Sequence, residues 1–332
     1  MISACIIAKD EESNIGNCLN SIKDSVDEII VVDTGSNDNT VKIAKRLGAK
    51  TFYKKWNDDF SSARNEALDK ASGDWIFVID CDEILDSSCK NLLRDLAHSS
   101  PNVHGYGINI TNIINGIESY ESAHLRFFRN LPVLRYKGII HEQISTVSEQ
   151  MKNSLNFLKS DIKLIHYGYE VNLEVESKKT TRNLTLLTKI PKKERDGMYY
   201  FHLGNEYTRL NDIKMATETF LQGYAIADKN QPYFTQLAQK TVIALYSLNA
   251  FRECLQYCDD ILEKYIDFKS IYFIKSACHV AFNEYQDALS ALLIYRSLQS
   301  NAFKYPIVNF DSANDIDKMI SELQKLVYNN IN

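Results

Sequence analysis

The sequence predicts two fold classes in one chain: an α/β domain on a mostly parallel sheet, followed by an all-α domain of helical repeats. Three observations carry this. The first hundred residues alternate short β-branched runs with helical segments, and those runs are apolar throughout, as strands covered on both faces are. Further strand-like runs fill residues 104 to 166. After the HYGY stretch at 166 to 169 strand patterns stop, and residues 195 to 328 read as helices that repeat.

Each element has its own signal. SACIIAK (3 to 9) is a buried strand, and SNIGNCLNSI, opening on Ser13 as its cap, is an amphipathic helix with Ile15, Cys18, Leu19 and Ile22 on one face. DEIIVVDT (27 to 34) is a second buried strand, and NDNTVKIAKRLGA is a helix closed near Gly48. TFYKK, a helix from Ser61 to about Lys70, and the strand WIFVID follow. Ligands of such sheets bind outside the carboxyl ends of the strands, which puts Lys9, Asp33 and Asp80 on one rim. YGINIT, HLRFFRN and VLRYKGIIHEQI read as added strands, with tight turns at Asn115-Gly116 and around Pro132. They would complete the first domain and wall one side of a site.

In the helical half, Tyr200, Leu203, Gly204, Tyr207, Ala216 and Phe220 follow the spacing of a tetratricopeptide repeat, which this segment resembles. The positions equivalent to Ala216 are Cys254 and Ala288, at intervals of 38 and 34 residues. Each follows an asparagine by five residues: Asn211, Asn249 and Asn283. The later copies are degenerate, with Val242 and Ser276 at the glycine position. The expected organisation is residues 1–170 as the α/β domain, 171–194 as a linker helix region and 195–332 as the repeat domain.

With 332 residues and 45% apolar composition the chain can bury a large core. The formal net charge of −5 is dispersed, which argues against a nucleic-acid partner. No apolar run approaches the roughly 18 residues a membrane span needs, and no basic, apolar leader opens the chain. The seven cysteines are odd in number and form no CxxC pair, so the expectation is reduced thiols and a cytoplasmic protein.

The chemistry gathers at strand ends. WIFVIDCDEIL turns from an apolar strand into Asp80, Cys81, Asp82 and Glu83, and carboxylates that crowd each other need either a positive partner or open water. Two carboxylates one residue apart supply oxygen ligands for a hard divalent cation that also takes phosphate oxygens. Asp33 ends the second strand in VVDTGSNDNT, placed to accept hydrogen bonds from a nucleotide, while Ser36, Asn37 and Asn39 read as turn and cap formers. In WNDDFSSARNEAL, Arg64 offers a permanently charged fork of donors. KGIIHEQI sets two titratable side chains side by side, His141 and Glu142, either of which can serve as a base, and the sequence does not choose between them. The remaining histidines show no metal-ligand spacing; His166 is either a site residue or a packing residue.

Taken together, IIAKDEESNIGNCLNSI, EIIVVDTGSNDNT, DFSSARNEAL and GDWIFVIDCDE resemble, in order and separation, the family 2 glycosyltransferases of the GT-A fold over about 170 residues. The resemblance implies a UDP-sugar donor, a divalent cation (Mn2+ or Mg2+) and an inverting displacement. It implies that Asp33 contacts the base and Arg64 the base or a nearby loop; Lys9, on the same rim, is expected among the donor-binding residues. Asp80 and Asp82 would be the DxD carboxylates that meet metal, diphosphate and ribose, with Glu83 as a rival to Asp82. The fusion to repeats resembles the sublancin-type peptide S-glycosyltransferases, which implies a peptide or protein acceptor; stacked hairpins also suit self-association into a homo-oligomer. Three other readings compete: a saccharide acceptor, an adaptor whose transferase domain has lost catalysis, and a nucleotidyltransferase. The last should open with a glycine-rich phosphate loop, and no glycine precedes Gly16.

Overall fold

A computed structural model describes residues 1–99, 101–114, 117–146, 154–169, 173–299, 305–306 and 313–331. The chain divides into two compact units, Met1–Lys179 and Thr180–Asn332, so the division falls inside the segment expected as a linker.

In the first unit, strand β1 (Ile2–Ala8) leads into α1 (Ile15–Ile22), then β2 (Glu28–Asp33), α2 (Thr40–Arg46), β3 (Lys50–Tyr53), α3 (Phe60–Lys70) and β4 (Trp75–Val78). A short β5 (Glu83–Leu85) and α4 (Leu92–Ser99) precede the long strands β6 (Gly105–Ile114) and β7 (Ile117–Arg129). Then come β8 (Leu134–Lys137), β9 (Gln143–Thr146) and β10 (Phe157–Tyr169). Eight strands form one sheet in the order β3-β2-β1-β4-β7-β6-β10-β5. Four of its seven neighbour pairings are parallel, and β7 and β5 are the strands that reverse direction.

Both faces are covered, which is why the strands are apolar at consecutive positions. Ile2, Ala4, Ile6, Val31 and Phe77 pack with Ile15, Leu19, Ile22, Ala44 and Leu93 on one face. On the other, Cys5, Ile30, Val32, Ile76 and Val78 pack with Ala67 and Leu68 of α3, Phe128, Leu134 and Tyr136. The buried positions of α1 are Ile15, Cys18, Leu19 and Ile22, the face the spacing predicts, but its cap position is Asn14, with no side-chain cap, where Ser13 was expected. Asn14 donates instead to Glu11 Oε2 at 2.8 Å. The run VLRYKGIIHEQI is not one strand. It is a hairpin of β8 and β9 whose connection turns at Gly138, φ 102°, and His141, φ 54°. The turn expected at Asn115-Gly116 lies outside the described residues; the one around Pro132 forms, with Leu134 N donating to Leu131 O.

Helix α5 (Leu173–Thr188) carries the chain across the division. The second unit pairs α6 (Gly197–Arg209) with α7 (Ile213–Ile226), α8 (Phe234–Ser247) with α9 (Phe251–Lys264), and α10 (Lys269–Ala281) with α11 (Tyr285–Ser297). Helix α12 (Ala313–Ile331) follows. The three repeat asparagines, Asn211, Asn249 and Asn283, all stand at φ 58° in the turn of their hairpin. Ala216, Cys254 and Ala288 are buried on the second helix of each pair. Where the first copy has glycine, the later two adapt chemically: Cys254 Sγ donates to the Val242 carbonyl, and Ser276 Oγ to the Ala288 carbonyl.

A candidate active site at the strand ends

The rim is built by loops that lace each other. Asp10 at φ 55° donates its N–H to Ser36 Oγ and accepts from Asn37 N, while Glu11 N donates to Thr40 Oγ1 and Glu12 accepts from Asn39. Ser36, Asn37 and Asn39 are thus turn residues, as their types suggest. Asp33, buried at the end of β2, accepts from the N–H groups of Gly35 and Ser36 at 3.1 and 3.2 Å, so its carboxylate is held at the mouth of the loop. Lys9 is exposed at the end of β1.

Helix α3 aims Arg64 at the neighbouring strand end. Asp59 caps the helix by accepting from Ser62 N at 2.9 Å, which gives it a local job, and Ala63 and Ala67 pack inward. Asn65 exchanges two hydrogen bonds with the Tyr136 backbone, fixing β8 to the helix. Arg64 lies 5.4 Å from the Tyr136 ring centre, its Nη2 donates to Asp80 Oδ1 at 2.9 Å, and its Nε donates to Glu142 Oε1. Arg64, Asp80 and Glu142 are therefore one cluster; His141, the other proposed base, is exposed in the same loop.

The carboxylate cluster after β4 resolves into three different environments. Asp80 is gripped on both oxygens, by Arg64 and by Arg126 Nη2 at 2.9 Å from Oδ2. Burial works against its charge, but the two guanidiniums hold the Asp80 carboxyl well below the usual carboxylate range. Glu83 turns inward: Oε2 accepts from Asp80 N at 2.8 Å, and Oε1 lies 3.5 Å from Arg126 Nη2. Glu83 is buried, and burial pushes its pKa up, partly offset by Arg126. Asp82 is half-buried, like Asp80, but it meets no guanidinium among the described residues. Its Oδ2 lies 3.1 Å from His166 Nε2, and Oδ1 has no hydrogen-bond partner among the described residues. Burial lowers the His166 pKa, but the hydrogen bond and charge of Asp82, with Glu83 and Asp80 behind it, leave it above the ordinary value. His166 Nδ1 meets Asn112 Oδ1 at 2.8 Å, so the ring is oriented from both sides.

Sequence reasoning missed Arg126 and left His166 undecided. Arg126 reads as a charged residue on a strand, and its partners lie 46 and 43 positions away, so no local pattern exposes it. The arrangement fits a divalent cation of the Mg2+ type, which takes one or two protein carboxylates and fills its other positions with phosphate oxygens and water. Asp82 offers an open oxygen, and Asp80 stands beside it. Among the described residues the one group of three metal-capable side chains within reach of each other is elsewhere: His279, Glu284 and Asp287 at the turn of α10 and α11.

Residues 3–152 match the family model of glycosyl transferase family 2. A TPR repeat-containing protein of Synechococcus elongatus is 34% identical over 227 residues, 67% of this chain and 56% of that protein. Glycosyltransferase SunS from the SPbeta prophage of Bacillus subtilis is 27% identical over 301 residues, covering 88% of this chain and 69% of SunS. The chain thus spans little more than half the length of the first of these relatives. Among solved structures, S. aureus TarS 1-349 in complex with UDP-GlcNAc aligns at a TM-score of 0.42 and 14% identity, over 73% of this chain and 88% of that one. Residues 3–152 are a family 2 glycosyltransferase domain, and the helical unit behind it is tetratricopeptide-like.

Proposed function

We propose that the chain moves a sugar from a UDP-linked donor to an acceptor, with inversion and with Mn2+ or Mg2+ bound beside Asp82 and Asp80. The observation that carries this is the split of the strand-end carboxylates: Asp80 has both oxygens clamped by guanidiniums, while Asp82 keeps Oδ1 without a hydrogen-bond partner among the described residues. Asp33 is held where it can accept from a base, and Arg64 is within reach of the same rim. When bound, the dication supplies charge that stabilises the departing diphosphate. The acceptor's oxygen or sulfur forms the bond to the anomeric carbon as the bond to diphosphate breaks, and the acceptor's proton goes to a base.

Glu142 is the better placed of the two candidates, because its carboxylate joins the Arg64 and Asp80 cluster while His141 is exposed in the loop. The helical repeats favour a peptide or protein acceptor, since stacked hairpins make an elongated concave surface, and the same surface suits a second copy of the chain. Seven buried, unpaired thiols suit a reducing cytoplasm. Among the described residues no helix is long and apolar enough to cross a membrane.

The test is hydrolysis of a panel of UDP-sugars with Mn2+ or Mg2+ by the wild type and by Asp82→Ala. The expected result is one donor turned over only with metal, and a loss of about 100-fold or more in Asp82→Ala. No turnover or binding of any UDP-sugar by the folded wild type would overturn the reading.

A further inference from the structure

We propose that Arg126 is a positioning residue of the transfer reaction: with Arg64 it clamps Asp80 across both oxygens, and so fixes which carboxylate of the strand end faces the donor. This rests on the transferase reading above.

The geometry is more elaborate than a structural ion pair requires. Asp80, a carboxylate 29% exposed, receives a separate guanidinium on each oxygen, at 2.9 Å in both cases, while Arg64 also meets Glu142 and Arg126 also lies 3.5 Å from Glu83. Two like charges are thereby brought to the same side chain, and each leaves its Nη1 buried without a hydrogen-bond partner among the described residues. Buried unpaired donors of this kind destabilise a fold. Stability alone does not explain retaining both.

What the second arginine adds is control of Asp80 from two directions. Arg126 Nη2 touches Oδ2 directly, and it also faces Glu83 Oε1, whose other oxygen accepts the Asp80 N–H. Glu83 N in turn donates to the Asp80 carbonyl at 3.1 Å. The side chain and the backbone of Asp80 are therefore set by the same cation. With Asp80 held, the turn presents Asp82, its backbone carbonyl accepting from Tyr167 N at 3.0 Å and its Oδ2 set against His166. Both contacts of Arg126 are made by the one terminal nitrogen Nη2, which lies one bond further along the side chain than a lysine Nζ, so a lysine keeps the charge but falls short of the same position.

Arg126→Met alone leaves buried Glu83 without its cation and risks unfolding, so the working variant is Arg126→Met with Glu83→Gln, whose amide oxygen still accepts from Asp80 N. Glu83→Gln alone and Arg126→Lys complete the set. The measurements are melting temperature, calorimetric binding of UDP with Mn2+, the Mn2+ concentration for half-maximal UDP-sugar hydrolysis, and kcat against KM. The double variant is expected to melt within a few degrees of wild type but to bind UDP at least about tenfold more weakly, need about tenfold more Mn2+, and lose about 100-fold in kcat. Arg126→Lys is expected to recover the melting temperature and not the turnover, and Glu83→Gln alone to stay within a few-fold of wild type. The proposal is overturned if the double variant stays within twofold of wild type in UDP affinity and turnover, or if Glu83→Gln alone loses as much as the double. If the wild type binds no UDP with either metal, the transferase reading fails first and takes this one with it.

Discussion

A β-carbon at Gly204 would stand 2.4 Å from the Phe220 ring, inside any distance real side chains adopt. Phe220 is buried between the helices of the first repeat, so Gly204→Ala must displace it; a loss of about 1–3 kcal/mol is expected, read as a lower urea midpoint. The later repeats carry valine and serine there, and the positions matching Phe220 hold the smaller Cys258 and Leu292. At the other end of the chain Glu28 gathers Ser3 Oγ, Ser72 N and Oγ, and Lys50 Nζ around one buried carboxylate. Burial opposes its charge, but these donors bring its pKa down from 4.5 to about 2. A depressed folded-state pKa means the stability is present above the unfolded value and is lost as pH falls through the folded one. Melting temperature should therefore drop between about pH 4.5 and 2, and Glu28→Gln, already lower at neutral pH, should flatten that part of the profile. That Arg64 and Asp80 belong together was suggested in the sequence only by residue type joined to the family resemblance, since an arginine inside a helix reads by itself as a solvated residue. Arg126 was not legible, since its reason lies in tertiary partners.

The Arg64 to Glu142 contact joins two elements, helix α3 and the loop between β8 and β9, and Phe60 N donating to Ile139 O at 2.9 Å closes the same junction. Glu142 is thus held by the residue that a donor would also engage. Glu142→Gln should bind UDP as tightly as wild type or more tightly, because a neutral amide competes less for Arg64, while UDP-sugar turnover falls about 100-fold if Glu142 is the base. Calorimetry and turnover measured together check this, and affinity and turnover falling in step would contradict it. The strand and helix pattern of this unit was readable from apolar runs and periodicity, including the buried face of α1. The hairpin of β8 and β9 was not, because apolar Ile139 and Ile140 continue the strand pattern through a turn that only the left-handed backbone of Gly138 and His141 reveals. In the helical unit the spaced asparagines marked the turns; all three sit where φ is 58°, so glycine should be tolerated there and valine should cost about 1 kcal/mol or more.

At the scale of the whole molecule, the change from continuous apolar strands to spaced helical repeats separated the two units before any coordinates, while the division after Lys179 falls inside α5, where a continuous helix gives no sequence mark. The first unit carries a family 2 transferase domain with one carboxylate oxygen at its rim left without a hydrogen-bond partner among the described residues; the second offers helical surface. The net charge of −5 leaves donor capture to local charges, so a phosphate-bearing ligand should depend on an added cation. The most direct test of the account is a calorimetric titration of UDP into the full chain with and without Mn2+, repeated on Asp82→Ala. Binding that requires Mn2+ in the wild type and disappears in Asp82→Ala is the predicted result; no binding in the wild type, or binding indifferent to both metal and Asp82, would contradict it.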